Sequence, residues 1–121
     1  ETTTLVIPGL NDAAEELSAL ARFIVSVDPN IAWHVSAFRP TYKMLDRQPT
    51  SSATLVKARE IGLDAGLKHV YIGNVHGGGG EDTSCPSCLE KVIVRRGFSV
   101  VRNLLTDGRC PFCSASISGI W

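Results

Sequence analysis

Four cysteines in two identical spacings constrain this chain more than any other feature. Cys85-Pro-Ser-Cys88 and Cys110-Pro-Phe-Cys113 are both Cys-x-x-Cys pairs, and 21 residues, 89–109, lie between them. Each pair predicts a tight turn that aims two thiolates at one point, and two such turns supply the four soft ligands of a tetrahedral ion. The spacing leaves room for one hairpin, as in a zinc ribbon. We therefore expect Cys85, Cys88, Cys110 and Cys113 to bind one structural ion, with zinc as the first choice.

Two disulfides or four buried free thiols are the alternatives to a metal site. Disulfides require an oxidising compartment, and no signal peptide opens the chain, so we expect reduced cysteines and a cytoplasmic location. Iron competes with zinc, because a rubredoxin-like site also uses two such knuckles. Leu89 and Ser114 follow the second cysteine of each pair, where small glycines often ease hydrogen bonding to sulfur. Zinc is the preferred interpretation.

Residues 1–76 alternate between strand-like and helix-like patterns. The β-branched run from Thr2 to Pro8, the run from Ile31 to Phe38 and the run from Lys68 to Gly73 are typical of buried strands. Apolar residues recur at helical spacing in the two segments between them, at Leu17, Leu20, Ala21, Ile24 and Val27 and then at Leu55, Ala58, Ile61 and Ala65. The order β-α-β-α-β with short connections predicts an α/β fold with a parallel sheet.

Residues that favour helix ends lie beside both helical segments. Asn11 or Asp12 is expected to cap the first helix, and Ser51 or Ser52 the second. Gly66 is expected to end the second helix.

Three parallel strands with two helices do not cover both faces of a sheet. We therefore expect either oligomerisation or the rest of a barrel or sheet upstream of Glu1. The glycine-rich stretch 77–84 is interpreted as a linker between an α/β segment, 1–76, and a four-cysteine zinc ribbon, 85–121. Short strands are expected in the ribbon at 91–95, at 98–102 and in the tail at 117–121.

Ligands of parallel α/β proteins bind at the loops that follow the C-terminal strand ends. In this chain those loops are 8–11, 38–40 and 73–76. Arg39 lies just past a strand end, where it can pair with a carboxylate or remain on the solvated surface. His34 and His69 are expected to be structural, the first as a core histidine, and His76 is expected to belong to the linker.

The formal net charge is 0, which favours neither nucleic acid nor an anionic membrane as a partner. The charge is uneven, because residues 1–84 carry 7 Lys/Arg and 10 Asp/Glu whereas residues 85–121 carry 5 and 2. The balance is −3 and then +3, which indicates two differently built segments. No apolar run is long enough to span a bilayer, which takes roughly 18–20 residues.

Several segments in order along the chain resemble the C-terminal part of the radical S-adenosylmethionine (SAM) enzymes of the AmmeMemoRadiSam system, relatives of pyruvate formate-lyase activating enzyme. The resemblance covers essentially the whole chain. Cys-x-x-Cys knuckles alone are common among proteins, but the complete series of matching segments is specific to this family. The segments that carry it are Thr3 to Asp12, Trp33 to Phe38, Pro40, Tyr42 to Met44, Ala58 to Leu63, Tyr71 to Val75, both Cys-Pro-x-Cys knuckles and Gly119 to Trp121.

This resemblance implies the last three strands of an incomplete (β/α)6 barrel. Such enzymes reductively cleave SAM at a [4Fe-4S] cluster held by a Cys-x-x-x-Cys-x-x-Cys motif, and that motif is absent here. By the same resemblance, Ile7 would lie along bound SAM and Arg39 would occupy a position where many relatives carry a histidine. The chain is therefore expected to be inactive alone and to need the remainder of the barrel as its partner. The substrate of the intact enzyme, or a partner that docks on it, can be a protein.

Two other functions remain open from the residues. One is a stand-alone zinc-ribbon module whose positive face binds a protein or, less favoured by the charge, a nucleic acid. The other is a rubredoxin-like electron carrier, in which iron replaces zinc between the same four cysteines.

Overall fold

The computed structural model describes residues 1–76 and 79–121, and it divides into two compact units, Glu1–Gly80 and Glu81–Trp121. The first unit, called the α/β unit below, contains strand β1 (Thr2–Val6), helix α1 (Ala14–Val27), strand β2 (Trp33–Ala37), helix α2 (Ser52–Ala65) and strand β3 (Val70–Gly73). The second, called the cysteine unit, contains strands β4 (Thr83–Ser84), β5 (Lys91–Arg96) and β6 (Ser99–Asn103).

The first sheet has the order β1-β2-β3, and both strand pairs are parallel. This confirms the predicted α/β fold with a three-stranded parallel sheet. The strands are shorter than the apolar runs that predicted them, because Ile7 and Pro8 turn away after β1 and Lys68 and His69 precede β3.

One face of this sheet packs against both helices. Alternate strand residues and the inner residues of the helices form a single apolar cluster, whose most buried members are Val6, Leu17, Ala21, Trp33, Val35, Leu55 and Ala58. Trp33 is fully buried, and its indole N–H donates to Thr4 Oγ1 at 2.9 Å. The indole therefore fills the centre of the core without an unpaired polar group.

The other face of the sheet is half-exposed or exposed, and we call it the open face. It consists of Thr3, Leu5, His34, Ser36, Tyr71 and Gly73. The predicted core position of His34 is wrong, because its side chain is 34% exposed and its Nε2 lies 3.0 Å from Glu1 Oε2. Its ring also stacks on Tyr71 at 5.2 Å between centroids.

The predicted side-chain cap of α1 is also wrong. The N-cap residue is Ala13, which has no capping side chain, and the preceding polar residues hold the turn before the helix instead. Asn11 Oδ1 accepts from the Ile7 N–H at 2.6 Å, and Asp12 Oδ1 accepts from the Gly9 N–H at 2.9 Å. In α2 both predicted ends are present: Ser51 Oγ accepts from the Thr54 N–H, and Gly66 closes the helix with φ of 113°.

The cysteine unit is a small antiparallel sheet of order β4-β5-β6. Thr83–Ser84 pair with β5, so the predicted linker 77–84 overlaps this unit, and its residues Gly77 and Gly78 lie outside the described part of the chain. The tail is not a strand as predicted. Trp121 Nε1 donates to the Ile117 carbonyl at 2.9 Å, and its ring lies against Gly108 and Gly119, which folds the tail back on itself.

None of the described helices is long and apolar enough to cross a membrane.

Candidate metal centre and strand-end site

The two cysteine knuckles adopt the same backbone turn. Leu89 N–H donates to the Cys85 carbonyl and Ser114 N–H to the Cys110 carbonyl, both at 2.9 Å. Leu89 and Ser114 each have φ of 65°, the left-handed conformation that glycine adopts most easily. The absence of glycine at these positions therefore does not prevent the knuckle turn.

The four cysteine sulfurs converge. Cys85, Cys88, Cys110 and Cys113 all place their Sγ atoms within 4.8 Å of one another. The Sγ atoms of Cys85 and Cys113, and those of Cys88 and Cys110, are 3.6 Å apart. Four thiolates around zinc, each at about 2.3 Å, would lie about 3.8 Å apart, so the observed spacing suits one tetrahedral ion. It is far from the roughly 2.05 Å of an S–S bond, and all four cysteines are free.

Backbone N–H groups of the first knuckle favour a thiolate. Burial alone would raise the pKa of Cys85, but hydrogen bonds from the backbone of Cys88 and Ser87 and from neighbouring thiols outweigh it and lower the pKa to about 7. At Cys88 the Glu90 N–H lowers the pKa, whereas burial and the three other cysteines outweigh it and raise the pKa to about 12. Four sulfurs this close therefore resist full ionisation unless a cation offsets their charge.

Two of the four cysteines are buried in a small apolar core. Cys85 and Cys110 are buried and form a small core with Val92, Ile93 and Ile117, whereas Cys113 is exposed. Glu90 and Ala115 accept from the backbone N–H groups of Cys85 and Cys110 at 2.8 and 2.9 Å. A four-cysteine group of this kind can hold a metal ion with every ligand position taken by protein.

The C-terminal ends of β1 and β2 are joined by Thr50, which the sequence patterns did not single out. Its Oγ1 donates to the Val6 carbonyl and accepts from the Phe38 N–H at 2.8 Å, and its own N–H donates to the Phe38 carbonyl at 3.1 Å. Residues 39–49 therefore form a loop closed at its base. Thr50 gave no local signal, because its two partner residues, Val6 and Phe38, are 44 and 12 positions away in the chain.

The two residues expected near SAM both lie at this edge of the α/β unit. Ile7 follows β1, and its backbone N–H is used by Asn11. Arg39 is exposed, and its Nη2 lies 3.5 Å from the Asn74 carbonyl. Asn74 in turn donates from Nδ2 to the Ala37 carbonyl at 2.8 Å, which ties the ends of β2 and β3 together.

The remaining histidines differ in their surroundings. His69 is buried, as expected of a structural residue, and its Nε2 has no hydrogen-bond partner within the described residues. Burial, together with the positive charge of Lys68, lowers its pKa. His76 is exposed.

Comparison with known proteins finds a relative without an assigned function. The chain is 38% identical over 120 residues to an uncharacterized protein of Methanocaldococcus jannaschii. The match covers 97% of this chain but 36% of the relative, so the chain spans about a third of that protein's length. No family model matches the chain, and no solved structure does.

Proposed function

We propose that this chain is the C-terminal portion of a radical SAM enzyme, in which half of a barrel is followed by a structural zinc ribbon. The sequence resemblance supplies the reaction class. The uncovered sheet of the α/β unit is the structural observation that supports it.

A parallel sheet is normally covered on both faces, and here the described helices cover one. The strand order β1-β2-β3 runs in sequence, as in successive strands of a barrel, and each outer strand pairs with one neighbour among the described residues. The open face carries Thr3, His34, Ser36 and Tyr71, a polar and aromatic set that suits the lining of a barrel lumen better than contact with a third helix. The remainder of the barrel is the partner that would continue this sheet.

In such an enzyme a [4Fe-4S] cluster reduces SAM and releases a 5′-deoxyadenosyl radical. All four cysteines of this chain belong to the ribbon, so the cluster would be held by the rest of the barrel. The roles left to this chain are to line the SAM site at Ile7 and to offer a cation at Arg39. Reduced cysteines agree with the proposed cytoplasmic location.

The activity test compares the short chain with a longer protein. The full-length Methanocaldococcus jannaschii relative and the 121-residue chain are both reconstituted with iron and sulfide, reduced, and supplied with SAM. We expect 5′-deoxyadenosine from the relative and none from the chain. A relative that binds no cluster, or a short chain that cleaves SAM, would contradict the proposal.

We propose zinc rather than iron for the four-cysteine centre. Four thiolates suit either ion, but a site with no open ligand position is typical of structural zinc, which has no redox chemistry. Metal analysis of protein purified from cells grown with both metals tests this directly. A colourless protein with one zinc ion per chain is expected. A red, iron-containing protein that cycles between two oxidation states would favour the rubredoxin-like carrier instead.

A stand-alone binding module is the second candidate function, and strand β6 favours it. All five residues of Ser99–Asn103 are exposed, including Val100 and Val101, and the adjacent Phe98 is fully exposed. Such a strip can contact a protein partner. A gene that encodes this chain alone as a stable monomer would support the module over the enzyme fragment.

A further inference from the structure

We propose that the loop 39–49, which we call the arginine loop, forms a binding site for a small ligand with a carboxylate or phosphate group at the C-terminal edge of the α/β sheet. This goes beyond the proposed function, because it assigns a role to Arg47 and requires neither the cluster nor SAM cleavage.

The arginine loop is held over the strand ends by its base. The three hydrogen bonds of Thr50 to Val6 and Phe38 close it, so its first and last residues lie beside the ends of β1 and β2. Pro40 is the second residue of the loop and Pro49 is its last, and both restrict the backbone there. The loop is therefore fixed at its base, and loops that a rigid sheet positions in this way often carry function.

Two arginines of this loop are anchored to carbonyl groups at the same edge. Arg47 Nη1 donates to the Pro8 carbonyl at 3.1 Å, after β1, and Arg39 Nη2 lies 3.5 Å from the Asn74 carbonyl, after β3. A backbone carbonyl fixes a guanidinium but does not neutralise it, and each guanidinium has five N–H donors. Most donors of both side chains therefore remain available.

No described carboxylate neutralises either arginine. Within residues 1–76 and 79–121 the ion pairs join His34 to Glu1 and Lys91 to Asp82. Asp12, the acidic residue nearest to Gly9 along the chain, accepts from the Gly9 N–H at 2.9 Å and forms no ion pair with Arg47 among the described residues. The arginine loop itself contains Arg39, Lys43 and Arg47 against one acid, Asp46, a balance of +2.

Arg47 is half-buried, and no described carboxylate pairs with its charge. A charge removed from water is costly unless it is paired, and a guanidinium pairs best with the planar, two-oxygen geometry of a carboxylate or phosphate. Gly9 leaves room for this side chain, because a Cβ at Gly9 would approach Arg47 Nη1 to 3.3 Å. The glycine and the arginine together shape a site for an anion.

If the chain belongs to a radical SAM enzyme, two sources of this anion exist: the carboxylate of SAM and an acidic group of the substrate. The test therefore uses three probes, inorganic phosphate, SAM and 5′-methylthioadenosine, which lacks the carboxylate. NMR spectra of the zinc-loaded, 15N-labelled chain report binding through the Nε–H signals of Arg39 and Arg47 and the backbone amides of residues 39–49.

Saturable shifts with phosphate are expected. Shifts with SAM that phosphate competes away and that 5′-methylthioadenosine does not reproduce would assign the site to the aminocarboxypropyl end of SAM, which carries its carboxylate. Phosphate binding without a SAM effect would assign the site to a substrate anion.

A matched pair of variants separates this site from general charge effects. Arg47→Gln should weaken phosphate binding about tenfold or more, because a charged hydrogen bond is lost. Arg59 makes the same kind of contact, from Nε to the Val70 carbonyl at 3.1 Å, at the opposite edge of the sheet. Arg59→Gln should therefore leave the phosphate affinity unchanged. Arg39→Gln should also weaken phosphate binding. Because Arg39 is exposed, this substitution should leave the fold intact, so it tests the site even if Arg47→Gln disturbs the fold.

NMR shifts that increase linearly with phosphate concentration and never saturate would overturn the proposal. An equal loss of phosphate affinity in Arg47→Gln and Arg59→Gln would also overturn it. These readouts need no iron. Anion binding by the chain and absent SAM cleavage by the full-length relative would leave this site standing while the radical SAM assignment fails.

Discussion

Gly62 lies on the buried face of helix α2, where the helix packs tightly against the sheet. A Cβ added there would meet two ring atoms of Trp33 and Cγ2 of Val70, each at 2.9 Å. Trp33 is fully buried and Val70 is 3% exposed, so neither neighbour can move away freely. Periodicity predicted Ile61 and Ala65 as inner positions, but both are only partly buried, and the glycine between them is buried.

Gly62→Ala should lower the free energy of unfolding of the α/β unit. Alanine favours the helix by about 1 kcal/mol, but overpacking of a well-filled core typically costs about 1–3 kcal/mol. We expect a net loss of about 1 kcal/mol, measured by urea unfolding followed through the helical circular dichroism. Glu60→Ala, at an exposed position of the same helix, should change stability by less than about 0.5 kcal/mol. A stabilised Gly62→Ala protein would contradict the close packing.

His69 should make the α/β unit less stable in mild acid. Its pKa is lowered by burial and by Lys68 from the ordinary value of 6.5, so the unfolded chain binds a proton at a higher pH than the folded chain. Stability should therefore fall as the pH drops below about 6.5. His69→Phe should reduce this decrease between pH 7 and 5, whereas His76→Asn, at an exposed position, should preserve it. Identical pH profiles for the parent chain and His69→Phe would refute the assignment.

At the scale of elements, the two helices begin in different ways although their sequences offered similar signals. Asn11 and Asp12 precede α1 as good capping residues, but their side chains stabilise the turn after β1. Local composition could not reveal this, because the competing donors Ile7 and Gly9 become available only when the strand ends where it does. At α2 the described side-chain contacts of Ser51 Oγ are with the N–H and the Oγ1 of Thr54, within the first turn of the helix, and the predicted cap forms.

Ser51→Ala should cost about 1 kcal/mol of stability, because the Thr54 N–H loses its side-chain acceptor at 3.1 Å. Ser52→Ala is the matched control, since Ser52 is the first helical residue, is exposed, and does not provide the cap. We expect the control to unfold at the same urea concentration as the parent chain. Equal effects of the two substitutions would show that the capping contact contributes nothing.

At the scale of the whole molecule, the two units depend on different sources of stability. The α/β unit buries a cluster of apolar side chains from two helices and three strands. The buried cluster of the cysteine unit has five residues, two of which are cysteines. So small a core cannot offset the conformational entropy of about 40 residues, and we expect a bound ion to supply the difference.

Removal of the metal should unfold the cysteine unit selectively. After treatment with a strong chelator, the amide signals of β5 and β6 should collapse, whereas the helical circular dichroism of the α/β unit should persist. Cys88→Ser should reproduce the collapse without chelator, and Ser87→Ala, in the same knuckle, should not. Retention of the β5 and β6 signals in metal-free Cys88→Ser would show that the unit does not need the ion.

The sequence by itself determined the parallel β-α-β-α-β order and the grouping of the four cysteines, because both depend on local periodicity and on short, repeated spacings. It also located the cap at Ser51 and the stop at Gly66, which are chemistry within one helical turn. Tertiary structure decided the exposure of His34, the folded-back tail at Trp121 and the arginine loop closed by Thr50. Those features depend on which distant backbone groups and side chains meet once the chain has folded. The local sequence around each residue does not determine these long-range contacts.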